Sequence, residues 1–199
     1  VRMTAGHPTV FIADDWEEEN LIDRQLQISL GLKTIVKARK ARRDYDARWC
    51  QTTDDPSDWL DQNNRRDFQR AFDAVKGSFG FTTRGELTYL WWRRLANEPG
   101  ASNDDLAVDF EHILVDEYQD LNECEHEILE LLAKRGVEVF VVGDPNQSIY
   151  GSMKHAHPEL CESFADRFAD SGTVTLNETY RCPDAVLEQA QILMEGTPG

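Results

Sequence analysis

The sequence predicts an α/β fold: a partial parallel sheet flanked by helices, with an all-helical insertion ahead of its second half. Three observations predict it. Short apolar runs alternate with amphipathic segments after Asp105, and a strand-like run, Thr9 to Ala13, stands near the start. Between them, from Trp16 to about Gly80, roughly 60 residues carry helical periodicity.

Taken in order, Thr9 to Ala13 (TVFIA) is β-branched and aromatic, which marks a strand, and Asp14 and Asp15 then offer a helix start. Leu21, Ile22, Leu26 and Ile28 open the helical stretch, and Phe68, Phe72 and Val75 continue it at spacings of four and three. Thr52 to Pro56 (TTDDP) reads as a loop between them. Gly85 to Asn97 is a further helix, rich in aromatics (Tyr89, Trp91, Trp92), and Glu98 to Asp105 is a loop. His112 to Val115 (HILV) has the composition of a buried strand. Asn122 then caps a helix, with Glu125 three residues on completing a capping box. That helix carries Cys124, Ile128, Leu131 and Leu132 on one face and stops at Gly136, after Lys134 and Arg135. Val137 to Val142 (VEVFVV) is a second strand. Pro158 to Asp170 is a helix with Cys161, Phe164 and Phe168 on one side, and Thr173 to Leu176 is a third strand. Pro183 starts a final helix striped by Val186, Leu187, Ala190 and Leu193. Strands and helices in this alternation imply parallel strands joined by right-handed crossovers. Residues 1–15 and 81–199 are therefore expected to belong to one α/β domain, interrupted by a helical insertion at 16–80.

Composition narrows the function classes. At 199 residues and 40% hydrophobic, the chain can bury one good core and a second small one. There is no run of about 18 apolar residues and no charged-then-apolar leader, so no membrane partner is expected and the expected location is cytoplasmic. The chain begins at Val1 and ends in Gly-Thr-Pro-Gly, so both ends are expected to be cuts in a longer polypeptide or processed termini. Cys50, Cys124, Cys161 and Cys182 lie far apart with no CxxC pair, which argues against zinc and against a disulfide framework. His155 and His157 beside Pro158 suit a polar turn better than a metal-ligand pair. The net charge of -16 argues against a nucleic-acid partner, yet positive charge is locally dense at Lys33, Lys37, Arg39, Lys40, Arg42, Arg43 and Arg48, and again at Arg65, Arg66 and Arg70. Two readings of those residues stay open: a basic stripe that meets phosphates, or a solvated helix face interleaved with Asp44 and Asp46.

Ligands of open parallel sheets bind at the carboxyl ends of the strands. The loops to read are therefore Asp116-Glu117-Tyr118-Gln119-Asp120, after the first of the two strands, and Gly143-Asp144-Pro145-Asn146-Gln147-Ser148-Ile149-Tyr150, after the next. Adjacent carboxylates at a strand tip suit Mg-nucleotide hydrolysis, one holding Mg²⁺ through its water shell while the other polarises the attacking water. Asp116 and Glu117 fit those roles, although carboxylates there also favour the start of a following helix.

LVDEYQD (Leu114 to Asp120), VVGDPNQSIYG (Val141 to Gly151) and LNETYRCP (Leu176 to Pro183), in this order on successive strand ends, resemble the second, third and fourth helicase motifs of superfamily 1, UvrD/Rep group. The resemblance implies a RecA-like motor domain that uses ATP and Mg²⁺, with Asp116 for Mg²⁺ and Glu117 as general base that also meets the metal through water. It implies Gln147 as a sensor between the γ-phosphate and DNA, Arg181 as the arginine that stabilises the transferring phosphoryl group, and Tyr180 as a stacker near the adenine. Gln119 is expected in the same polar network. By the same analogy residues 16–80 look like the insertion that this family carries in its first motor domain, where it meets duplex DNA. Lys37, Lys40, Arg42 and Arg43 are then candidate phosphate contacts. The implied partners are single-stranded DNA and single-strand/duplex junctions.

Two departures bear on this. The family's phosphate-gripping loop, GxxxxGK[ST], is absent, since no Gly-Lys dipeptide followed by Ser or Thr occurs. The motifs beyond the fourth are absent too. This stretch alone is therefore expected to be inactive, with the phosphate loop and second motor domain supplied by the rest of the same polypeptide. The second departure follows Tyr150: Gly151, Ser152, Met153 and Lys154 stand where family members commonly carry an aromatic residue and an arginine that engage single-stranded DNA. Tyr150 remains a candidate base stacker and Lys154 a candidate phosphate contact. The expected function is that of an ATP-dependent DNA helicase or translocase; the alternative is a non-catalytic helicase-like module that grips DNA or a partner. A base and an arginine at a cleft favour the first, because a relic needs neither.

Overall fold

Two short parallel ladders organise the chain in a computed structural model that describes residues 11–52, 62–106, 108–148 and 155–195. Strand β1 (Phe11–Ile12) pairs with β2 (Phe81–Thr82), Phe11 opposite Phe81, and Ala13 N–H extends the ladder to Thr82 O at 3.0 Å. The two are far apart in sequence, so β2, which the sequence pattern did not single out, closes the base of the helical stretch. Only part of the strand expected at Thr9 to Ala13 lies within the described residues.

Between these strands run α1 (Asp15–Glu17), a π turn (Glu18–Ile22), α2 (Asp23–Ser29), α3 (Ile35–Asp46), a 3-10 turn (Ala47–Cys50) and α4 (Gln62–Phe79). Asp14 starts the first helix through a capping box with Glu17, at 2.8 and 2.9 Å. On α4 the spacing of Phe68, Ala71, Phe72 and Val75 makes one buried stripe, which packs with Ile22, Leu26, Ala38, Tyr45 and Phe81. The Tyr45 ring lies 5.2 Å from Phe68 and 4.7 Å from Phe72, close enough for aromatic pairing. Gly80, at φ +67, ends α4 in the left-handed conformation that a side chain would resist.

One buried polar cluster ties these helices together. Arg42 on α3 donates from Nε to Asp23 Oδ1 at 2.6 Å, and from Nη1 to Glu18 Oε2 at 2.8 Å and Asp46 Oδ2 at 3.1 Å. Burial alone would lower the Arg42 pKa, but the hydrogen bond to Asp23 and the charges of Glu18, Asp23 and Asp46 outweigh it and hold the guanidinium above its ordinary range. Three carboxylates face this one buried arginine. Burial therefore prevails at Asp46, whose pKa is pushed up to about 7 despite Arg42.

The chain continues through α5 (Arg84–Asn97), capped by Thr83, to β3 (His112–Val115), a 3-10 turn (Tyr118–Asp120), α6 (Glu123–Ala133) and β4 (Glu138–Val141). The expected capping box is present: Asn122 Oδ1 accepts from Glu125 N–H at 3.1 Å, and Glu125 Oε2 from Asn122 N–H at 3.0 Å. Gly136, at φ +88, follows the helix as expected. Helices α5 and α6 enclose a second core of Tyr89, Leu95, Leu106, Val108, Cys124, Ile128, Leu132 and Val137. Trp49 packs against both cores, its ring 6.1 Å from Tyr45 and 4.9 Å from Tyr89. Burial pushes the thiols of Cys50 and Cys124 up to about 12, in keeping with small apolar occupants of these positions.

β3 and β4 pair in parallel, His112 opposite Glu138 and Val115 opposite Val141. Ile113, Val115, Val139 and Val141 point to a third core, built on Tyr118, Leu129 and Phe168. The alternate residues face outward: Leu114 is 76% exposed and Phe140 62%. The expected buried strand is thus covered on one face, because no described element lies over the other. Thr173 to Leu176, expected as a third strand, has no ladder partner among the described residues, and Val174 and Leu176 are exposed. The helix expected at Pro158 to Asp170 divides at Ser163 into Glu159–Glu162 and Phe164–Arg167. The last helix, Asp184–Glu195, leaves Val186 and Leu193 of its stripe exposed. No helix of the described residues is long and apolar enough to cross a membrane.

The Arg42 cluster yields a pair of predictions. Arg42→Met leaves Asp23 buried without its main counter-charge and lowers stability by about 3–5 kcal/mol in chemical denaturation. Asp46 behaves oppositely: its raised folded pKa means that stability present at about pH 4 is lost as the pH climbs through about 7. Asp46→Asn therefore loses less stability than the parent between about pH 4 and about pH 8; equal losses would disprove the assignment.

Candidate functional site

β3 and β4 end level at one edge, and the ladder continues past them. Val142 N–H donates to Val115 O at 2.8 Å, and Tyr118 N–H donates to Val142 O at 2.9 Å. Parallel pairing in register thus delivers both polar loops to one place.

Asp116 and Glu117 follow β3 and are exposed. Asp116 Oδ1 accepts the Glu117 N–H at 3.0 Å. Glu117 sits at φ 53, ψ 46, in the left-handed region that a side chain adopts only when its surroundings enforce it. Directly after it, the 3-10 turn carries Tyr118 and Gln119 into the interior.

Gln119, 1% exposed, joins the two loops. Its Nε2 donates to Glu117 Oε2 at 2.7 Å, and its Oε1 accepts from Asp144 N–H at 3.0 Å. Asp144 in turn accepts at Oδ1 from Asn146 N–H at 3.0 Å and at Oδ2 from Gln147 Nε2 at 2.8 Å. A chain of contacts therefore runs Glu117, Gln119, Asp144, Gln147, entering Asp144 through its backbone N–H and leaving through its carboxylate. Gly143 makes the close approach possible: a Cβ there would meet Gln119 Oε1 at 2.8 Å, Tyr118 Cβ at 3.1 Å and Gln119 N at 3.2 Å.

Of the residues singled out from sequence, Asp116, Glu117, Gln119 and Gln147 thus come together. Among the described residues, Tyr180 and Arg181 are not hydrogen-bonded to these loops. The Tyr180 ring is 94% exposed and its hydroxyl donates to Glu178 at 2.8 Å, while Arg181 N–H donates to Thr179 Oγ1 at 3.3 Å. Arg181 has no ion pair among the described residues. Tyr150 and Lys154 lie outside the described residues. On α3, Lys37 is exposed, Lys40 pairs with Asp44 at 2.7 Å, and Arg43 approaches Glu19 at 3.8 Å. Arg42 is corrected: helical spacing turns it inward with Ala38 and Tyr45, and its three carboxylates leave no donor face for a phosphate.

Gly143, Asp144 and the buried Tyr118 and His126 were not singled out as functional in the sequence. Asp144-Pro145 does carry a signal, an acceptor followed by proline at the start of a helical turn. The requirement for glycine at 143 and the left-handed Glu117 carry none, because both depend on a neighbour from another loop.

The model of the UvrD/REP helicase N-terminal domain matches residues 10–169 of this chain. DNA helicase II of Escherichia coli (strain K12) is 38% identical over 90 residues, 45% of this chain and 12% of that protein. ATP-dependent DNA helicase PcrA of Leuconostoc citreum is 38% identical over 85 residues, 43% of this chain and 11% of its own. ATP-dependent DNA helicase Rep of Salmonella typhimurium is 36% identical over 87 residues, 44% of this chain and 13% of its own. The matched region thus spans 11–13% of the length of these curated relatives.

The close approach at Gly143 is testable by contrast with Gly77 on α4, where a Cβ would meet nothing within 4 Å. Gly143→Ala drives Gln119 from Asp144 and costs about 1–3 kcal/mol. Gly77→Ala, on an exposed helix face, stabilises by roughly 0.5–1 kcal/mol. Thermal denaturation of both variants decides the matter, and a neutral Gly143→Ala would dismiss the steric argument.

Proposed function

This chain belongs to the UvrD/Rep helicase family, and on that premise we propose that it is part of an ATP-dependent DNA helicase that couples nucleotide hydrolysis to movement on single-stranded DNA. The observation that carries the reading is the relay from Glu117 through Gln119 and Asp144 to Gln147. It links a candidate hydrolytic carboxylate to a side chain on the neighbouring loop, which is the connection a motor needs between its chemistry and its track.

In this reading residues 1–15 and 81–199 are parts of a RecA-like motor domain and 16–80 its helical insertion. Glu117 takes the proton of the water that attacks the γ-phosphorus. Gln119 occupies Oε2 of that carboxylate, which leaves Oε1 to face the water. Asp116 and Glu117 suit Mg²⁺: two exposed carboxylates at a strand tip match an ion held largely by water and phosphate. When bound, the ion neutralises charge on the phosphates. The exposed Arg181 guanidinium is suited to a phosphate contact, and the exposed Tyr180 ring supports stacking near the adenine. The phosphate-gripping loop and the second motor domain are supplied by the rest of the polypeptide. Lys37, Lys40 and Arg43, exposed on α3, remain the candidate contacts for DNA at a single-strand/duplex junction.

The test is steady-state ATP hydrolysis by the full-length protein, with and without single-stranded DNA. DNA-stimulated turnover is expected, and Glu117→Gln is expected to lower kcat by about 10²–10⁴-fold. Turnover that survives in Glu117→Gln removes the assigned base. A folded, DNA-binding parent without turnover overturns the motor reading in favour of a non-catalytic module.

A further inference from the structure

Glu117 holds a strained backbone conformation, and the structure identifies what enforces it. Gln119 restrains its carboxylate, but the dihedral itself is set by where the next residue goes. Tyr118 is 1% exposed, and its N–H is fixed to Val142 O at 2.9 Å. Its hydroxyl lies 2.9 Å from His126 Nδ1, and its ring stands edge-on to His126 (4.6 Å, 83°) and to Phe164 (5.5 Å, 85°). His126 is on the first turn of α6, whose start is held by the Asn122–Glu125 capping box. A rigid path thus leads from α6 through His126 and Tyr118 to Glu117.

His126 is an unusual occupant for such a position. It is buried, and among the described residues its Nε2 has no hydrogen-bond partner while its Nδ1 meets the Tyr118 hydroxyl. An apolar residue of similar volume would fill the space without an unsatisfied nitrogen. What the imidazole offers there, and an apolar residue does not, is a fixed partner for the hydroxyl.

We propose that Tyr118 and His126 act together as positioning residues, holding Glu117 in the left-handed conformation that aims its carboxylate out of the loop edge. Neither side chain contacts the carboxylates of Asp116 or Glu117, so both act through the backbone. The proposal rests on the reading of Glu117 as the hydrolytic base. Burial pushes the His126 pKa down to about 4, with Arg167 and His157 adding to the effect, so the ring that meets the hydroxyl is neutral at neutral pH.

The experiment uses the full-length protein with three substitutions. Tyr118→Phe removes the hydroxyl and keeps the ring; His126→Leu removes the nitrogen; His126→Asn puts a side-chain amide atom near the place of Nδ1. Tyr118→Phe and His126→Leu are each expected to lower kcat for ATP hydrolysis by roughly 10-fold to 100-fold while the KM for ATP moves less than about twofold. His126→Asn is expected to restore most of the loss, and the double variant Tyr118→Phe/His126→Leu to be no worse than either single one. A packing role alone would lower thermal stability and leave kcat unchanged, and that outcome overturns the proposal, as does a double variant whose losses multiply. Amide hydrogen exchange across residues 117–121 separates this from the motor reading. Where the parent shows no turnover, faster exchange at Tyr118 N–H in His126→Leu, reversed in His126→Asn, still sustains the positioning role; unchanged exchange refutes it.

Discussion

The parallel pairing of β3 with β4 is the constraint on which the candidate site depends. In a parallel pair both strands run the same way, so both exit loops emerge at the same edge, and the register of Val115 with Val141 sets them level. Val142 and Tyr118 then extend the ladder beyond both strands, which brings Gln119 to within hydrogen-bonding distance of Asp144. A slip of one residue would reverse the faces of the strand and carry Gly143 away from Gln119, where only a hydrogen atom fits. The polar relay is thus a consequence of strand register, and its strained member, Glu117, is tolerated because the residues after it are pinned from several sides.

The helical part of the chain is held by a different device. Its aromatic core of Tyr45, Phe68, Phe72 and Phe81 accounts for much of its cohesion, but the buried Arg42 and its carboxylates determine how α3 sits against the helices before it. A buried ionic cluster is a weak source of net stability, and here the bonds of Arg42 to three carboxylates join α3 to the π turn and α2. At its base, β1 and β2 bring the two ends of the stretch together, and Trp49 wedges between its core and that of α5 and α6. The same acidic richness that gives the chain its charge of -16 supplies these internal counter-charges, and it also occupies Arg39, Lys40 and Arg43, in whole or in part.

Local chemistry was legible wherever a few adjacent residues decide the outcome. The Asn122–Glu125 box, the stop at Gly136, the apolar stripe of α6 and the strands HILV and VEVFVV needed no distant partner to be recognised. The loops at the strand ends followed from these, and Asp116, Glu117, Gln119 and Gln147 with them. What failed were inferences that required knowing a neighbour. Thr173 to Leu176 has strand composition but no strand beside it among the described residues, and HILV has a buried composition but cover on one face only.

By itself, then, the sequence determined the alternation of elements, the helix boundaries that rest on caps and glycines, and the identity of the polar residues at the strand ends. Each of these is governed by interactions within about four residues along the chain, the reach of a helical turn or a cap. Only the tertiary structure decided that Arg42 turns into a cage of carboxylates from the π turn, α2 and its own helix, that Gly143 admits Gln119, that Tyr118 leans on His126, and that Phe81 closes on Phe11. Those outcomes depend on which surfaces meet after the chain has folded back on itself, and burial, which sets both the charge state of Asp46 and the neutrality of His126, exists only once they have met.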